Sequence, residues 1–117
     1  MKQFIDIAIK EALKSNYSYI NGSKFRLGAV ILDKNQVVAR GHNQRQSNNT
    51  FKKLGYKRSI HCEALTLYRA RGKGDTIIVV RLLRDNQLTM AMPCKRCFSL
   101  LKKKGIKQIY FSFWDGT

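Results

Sequence analysis

The sequence predicts an α/β domain: a mixed sheet of about four strands opening with an antiparallel hairpin, accompanied by about three helices. Three observations carry this expectation. Residues 25–33 and 36–41 read as strands separated only by Asp33-Lys34-Asn35, and strands joined by so short a turn must run antiparallel. Ile77-Ile78-Val79-Val80 is an apolar run without alternation, the pattern of a strand covered on both faces, as central parallel strands are. Helical periodicity then appears before, between and after these strands.

Taken in order, Phe4, Ile5, Ala8, Ile9, Ala12 and Leu13 recur at helical spacing, with Lys10, Glu11 and Lys14 opposite; the spacing predicts an amphipathic helix over 2–14. Residues 16–24 are rich in turn formers. After the hairpin, 44–59 is a long polar connection, of a length that is usually functional or disordered. Ser59 is a candidate N-cap for a helix over 60–71, whose Ala64, Leu65, Leu67 and Tyr68 are expected to face the sheet and which Gly72 stops. A strand over 76–83 follows, then a loop at 84–87 and an approach segment at 88–92. Pro93 sets the entrance to a helix over 94–103, which packs Phe98, Leu100 and Leu101 and is capped by Gly105. The last strand, 106–113, is expected parallel to the previous one through a right-handed crossover.

At 117 residues the chain is expected to form one domain, 1–117. The opening segment is interrupted by charge and no membrane-length apolar run occurs, which points to an intracellular, cytoplasmic protein without a membrane partner. Three cysteines suit a reducing compartment better than a disulfide framework. Lys+Arg 23 against Asp+Glu 7 gives a formal charge of +16, which draws a domain of this size to polyanions at low salt. A lysine-rich soluble surface and an anionic mononucleotide substrate account for the same number.

The chemistry concentrates in His61-Cys62-Glu63 and Pro93-Cys94-Lys95-Arg96-Cys97. Cys94 and Cys97 have ordinary zinc-ligand spacing and can both point inward from the first turn of a helix. One His and two Cys with no obvious fourth protein ligand leave a position for water, as a catalytic zinc requires. Glu63, starting from the same turn as His61, can reach the metal's neighbourhood without ligating it, where a proton shuttle belongs. Taken alone, the C-x-x-C also fits a zinc-ribbon knuckle or a thiol redox pair, and the His fits a cap or a satisfied core residue. Both halves occur together, with Glu63 and Pro93 30 positions apart.

H-x-E followed by P-C-x-x-C resembles the zinc-dependent cytidine, deoxycytidylate and tRNA-adenosine deaminase superfamily, which includes the APOBEC type, with both motif halves intact. The resemblance implies a three-layer α-β-α fold and one Zn2+ per chain on His61, Cys94 and Cys97, with Glu63 as the catalytic acid/base. It implies substrate contacts from Asn43, from the backbone N–H of Cys62 and at Pro93. The Cys62 side chain is read as a small packing residue. His42 could close the metal site, but on the family's layout it points away and is taken as a loop or structural histidine.

Three functions follow. The first is hydrolytic deamination of cytosine to uracil in cytidine or deoxycytidine nucleosides or nucleotides, releasing ammonia. The second is deamination of cytosine or adenine within single-stranded DNA or RNA, for which Arg45, Lys52, Lys53, Lys57 and Arg58 around Phe51 and Tyr56, together with Trp114, could supply phosphate and stacking contacts; a solvated loop with aromatics packed back accounts for the same residues. The third is a non-catalytic zinc module that binds nucleic acid. Cytosine is preferred over adenine from the superfamily's majority. Deoxycytidylate-, tRNA- and APOBEC-type relatives continue past the last strand with a further strand and helix, so here that strand is expected at a sheet edge, which favours homo-oligomers.

Overall fold

The computed structural model describes residues 2–15, 26–45, 59–60, 62–82 and 88–112. The elements run α1 (Lys2–Leu13), β1 (Arg26–Asp33), β2 (Gln36–His42), β3 (Gln44–Arg45), β4 (Ser59–Ile60), α2 (Cys62–Ala70), β5 (Thr76–Leu82), β6 (Leu88–Thr89), α3 (Lys95–Lys103) and β7 (Gln108–Phe111). The main sheet has five strands in the order β2-β1-β5-β6, with β7 also on β5; β3 and β4 form a separate two-stranded ladder.

The hairpin forms as expected. Lys34 and Asn35 take φ of 50° and 68°, the paired left-handed conformation that matches the twist of the flanking strands. β5 is central, yet its neighbours are mixed: β1 pairs with it antiparallel and β7 parallel. An apolar run reports burial on both faces and not the direction of the neighbours.

Alternation along β1 and β5 divides the core into two layers. Val30, Leu32, Ile78, Val80 and Leu82 pack with Ala8 and Ala12 of α1. Ala29, Ile31, Ile77 and Val79 pack on the opposite face with Cys62, Leu67 and Ala70 of α2 and Leu101 of α3. This is the three-layer α-β-α arrangement. The helices come very close where the strands carry glycine: a Cβ on Gly28 would run into the backbone at Ala8 O and Ala12 N, and one on Gly41 would lie 2.6 Å from Thr66 Oγ1. Only hydrogen fits at either place.

Three local expectations are corrected. Ser59 does not cap a helix over 60–71: Ser59 and Ile60 pair with Arg45 and Gln44, so their backbone is committed to a ladder and α2 starts at Cys62. Tyr68 does not face the sheet and is 58% exposed. The first turn of α2 is buried nearly all round, but farther along only the arc through Thr66, Leu67 and Ala70 stays covered, and Tyr68 lies outside it. Phe98 is likewise exposed at the edge of α3, with Lys102 Nζ 4.7 Å from its ring centroid; Leu100 and Leu101 do the packing. Gly105, with φ 89°, ends α3 as expected, and the Ile106 N–H reaches back to Leu101 O.

Ser112 joins two of the sheet's seams. β7 lies along β5 from Thr76 to Val79, and β6 takes over at Arg81 and Leu82. At the junction Ser112 N donates to Val79 O, its hydroxyl accepts from Arg81 N and donates to Thr89 O, and its carbonyl accepts from Ala91 N. The segment leading into Pro93 and Cys94 is thereby tied to the central strand. Among the described residues no helix is long and apolar enough to cross a membrane.

Candidate active site

Glu63 is the second residue of α2, where the unpaired N–H groups of the first turn favour a carboxylate. It is only 4% exposed. Its Oε1 lies 3.0 Å from the Cys62 thiol, which donates to it. Cys62 is fully buried in the core, as a packing residue should be, and also touches the acid beside it. Burial, and then the neighbouring Glu63 carboxylate, push the Cys62 thiol well above its ordinary range, so it stays protonated and acts as a donor. Thr66 Oγ1 donates to the Cys62 carbonyl at 2.5 Å and steadies the same turn.

Cys94 is the N-cap of α3, with extended backbone and its sulfur accepting the Cys97 N–H at 3.5 Å. Cys97 is buried and packs with Ala64 and Leu65 of α2. The C-x-x-C turn therefore rests directly on the turn that follows Glu63. Pro93 is buried just before the cap. The donor chemistry suits a borderline metal: two sulfurs on one helical turn, one of them already receiving a backbone N–H. His61 lies outside the described residues, and among those described no three His, Cys, Asp or Glu side chains form a metal-holding group.

Asn43, at the end of β2, is 3% exposed. Its N–H donates to Leu27 O, while its Oδ1 accepts from Leu27 N at 2.9 Å and from Ser15 Oγ at 2.6 Å. Beside it, His42 turns toward α1, with Nδ1 3.7 Å from Glu11 Oε1, the structural role expected of it. Burial pushes the Glu11 carboxyl up, but hydrogen bonding and charge from Lys14, 2.6 Å away, together with His42, outweigh this and hold it below the usual value. For His42, burial lowers the pKa more than Glu11 raises it.

Both shifts have the same consequence. A folded-state pKa below the unfolded one means that the unfolded chain binds the extra proton, so stability present above the unfolded value is lost as pH falls. The thermal midpoint is expected to drop as pH falls through and below about 6.5, where unfolded His42 titrates, and again below the ordinary Glu range. His42→Gln should remove the upper step and keep the lower one in melts at constant ionic strength. An upper step of the same size in the variant would mean another group is responsible.

The sequence model of the cytidine and deoxycytidylate deaminase zinc-binding region matches residues 1–113. The chain belongs to this deaminase family. No curated protein sequence matches it. Among solved structures it is similar to cytidine deaminase from Burkholderia pseudomallei, at 19% identity and TM-score 0.67, over 98% of this chain and 86% of that one. It also resembles guanine deaminase from Bacillus subtilis, at 16% identity and TM-score 0.54, over 96% and 63%. A tRNA:A34 deaminase studied for A-to-I editing at the wobble position aligns at 20% identity and TM-score 0.56, over 94% and 74%. At these identities the likeness shows the shared fold.

In the deaminase fold seen here, α2 meets α3 where Cys97 packs on Ala64 and Leu65, next to the Cys62–Glu63 pair, and Cys94 caps α3, while Asn43 closes β2 against the end of α1. Arg45 sits in β3 opposite Ser59. Phe51, Lys52, Lys53, Tyr56, Lys57, Arg58 and Trp114 lie outside the described residues. Sequence reading missed Ser15 and Ser112, and it put Glu11 on the polar face of the first helix, whereas Glu11 is buried against His42 and Lys14. A hydroxyl near a helix end reads the same whether it meets solvent or an Asn 28 positions away, so no local signal could have identified Ser15.

Proposed function

We propose that the protein is a zinc-dependent hydrolase that converts cytosine to uracil in cytidine or deoxycytidine nucleosides or nucleotides. The observation that carries this reading is the buried Glu63 carboxylate held by the Cys62 thiol at the start of α2, packed against the Cys94–Cys97 turn. In this reading His61, Cys94 and Cys97 hold one Zn2+, which supplies a Lewis acid that makes water nucleophilic near neutral pH. Glu63 takes a proton from the attacking water and delivers it to the ring nitrogen, which makes the ring carbon electrophilic. It then carries the second water proton to the departing amine. The C–N bond breaks, a carbonyl remains and ammonia leaves. The Cys62 backbone N–H and Pro93 border the base, and Asn43 contacts the nucleoside.

A second reading, deamination within single-stranded nucleic acid, is favoured by one surface. Residues 94–107 hold six Lys or Arg and no Asp or Glu. Lys95, Arg96, Lys102 and Lys103 are exposed within one arc of α3, the helix that begins at Cys94. Such a strip can track phosphates, with the exposed Phe98 beside it for stacking. The free outer edge of β7 among the described strands, carrying exposed Tyr110, supports self-association, and a cytoplasmic location completes the proposal.

Ammonia release from cytidine, deoxycytidine, their monophosphates and cytosine-containing single strands separates the two readings. Turnover of the small substrates, abolished by a zinc chelator and restored by zinc, is the expected result. Turnover of oligonucleotides alone, falling steeply between about 50 and 200 mM salt, would replace the first reading with the second. No release from any of them would overturn both.

A further inference from the structure

We propose that Ser15 is a positioning residue that sets the hydrogen-bonding polarity of Asn43, making it a donor toward substrate. This rests on the reading that Asn43 contacts the bound nucleoside. An Asn oxygen has two lone pairs. Here one accepts the Leu27 N–H at 2.9 Å and the other the Ser15 hydroxyl at 2.6 Å.

The Leu27 contact identifies the amide atoms without ambiguity, because a backbone N–H can only donate and its partner must be the carboxamide oxygen. With both lone pairs taken, any contact from the Asn43 side chain to a ligand comes from its amino group. That group fits an acceptor, such as a sugar hydroxyl oxygen. The Ser15 hydroxyl also lies 2.9 Å from the Asn43 carbonyl oxygen; its single proton is directed chiefly at the nearer Oδ1, and the longer contact shares it. Ser15 and Asn43 are both buried, and at such depth a hydrogen-bond lock is worth more than at the surface. It also reaches across elements, from the end of α1 to the end of β2, so the first helix sets what the substrate meets.

The test compares Ser15→Ala, Ser15→Thr and Asn43→Asp with the wild type. Ser15→Ala is expected to raise KM about 5- to 20-fold with kcat within about twofold, because a buried acceptor loses one donor while the proton chemistry is untouched. Ser15→Thr, which keeps the hydroxyl, should recover most of the loss. The increase should vanish on whichever of the 2′-deoxy or 3′-deoxy analogues lacks the accepting oxygen. Independently of substrate, the Asn43 side-chain amide resonances, identified by their loss in Asn43→Asp, should shift and broaden in Ser15→Ala. An unmoved Asn43 amide, or a fall in kcat accompanying the rise in KM alike on every analogue, would overturn the proposal. Absence of ammonia release by the wild type would instead sink the deaminase reading, and the amide resonances would still decide whether Ser15 holds Asn43.

Discussion

Glu63→Ala is expected to keep the fold and the bound zinc while ammonia release falls by at least about two orders of magnitude, the usual contribution of a positioned acid/base. The site gives a sharper companion. Glu63 Oε1 accepts the Cys62 thiol, so alanine removes a contact as well as a proton carrier. Glu63→Gln retains an oxygen for that thiol and fills the same volume, but it cannot carry the proton. Equal losses in the two variants, with zinc content near one per chain by elemental analysis, would assign the effect to proton transfer. A glutamine variant with near wild-type turnover would sink the assigned role.

Gly28→Ala is expected to destabilise the protein by about 3 kcal/mol, at the upper end for overpacking. Total stabilities run only about 5–15 kcal/mol, so this is a large fraction. The clash is with backbone, Ala8 O and Ala12 N, and no rotamer change relieves it: α1 must lift off β1. Gly72 makes the comparison informative. It has φ 83° and open space within 4 Å of where a methyl group would sit, so Gly72→Ala costs only the left-handed backbone, about 1 kcal/mol. Thermal or urea unfolding should therefore rank Gly28→Ala well below Gly72→Ala. The reverse order would show that the close approach of α1 to β1 carries little of the stability.

Much of this architecture was legible because its signals are local. The Asp33-Lys34-Asn35 turn announces a hairpin, Ile77 to Val80 announces a covered strand, and Gly105 ends a helix by a backbone requirement. The two motif halves were legible for the same reason, since ligand spacing on a helical turn is a property of a few consecutive residues. What escaped depends on partners distant in sequence. Ser59 carries the chemistry of a cap, yet pairing with Arg45 across the intervening chain commits its backbone elsewhere. Tyr68 has the right spacing for the sheet face, but how far α2 stays covered is decided by other elements. Ser15 and Asn43 are each ordinary turn-region residues until folding puts them 2.6 Å apart.

The sharing of one edge of β5 between two short strands makes the protein unequally tolerant of length changes. β6 meets β5 over only two residue pairs, so extra residues ahead of Leu88 can be absorbed by giving up the Leu82–Leu88 pair while Thr89 keeps its contact to Ser112. An insertion between Gln108 and Ser112 has no such outlet. It would shift the serine whose hydroxyl and carbonyl hold Thr89 and Ala91, and through them slide the approach to Cys94 along the central strand. Loop grafting aimed at a new substrate therefore has room ahead of β6 and almost none within β7.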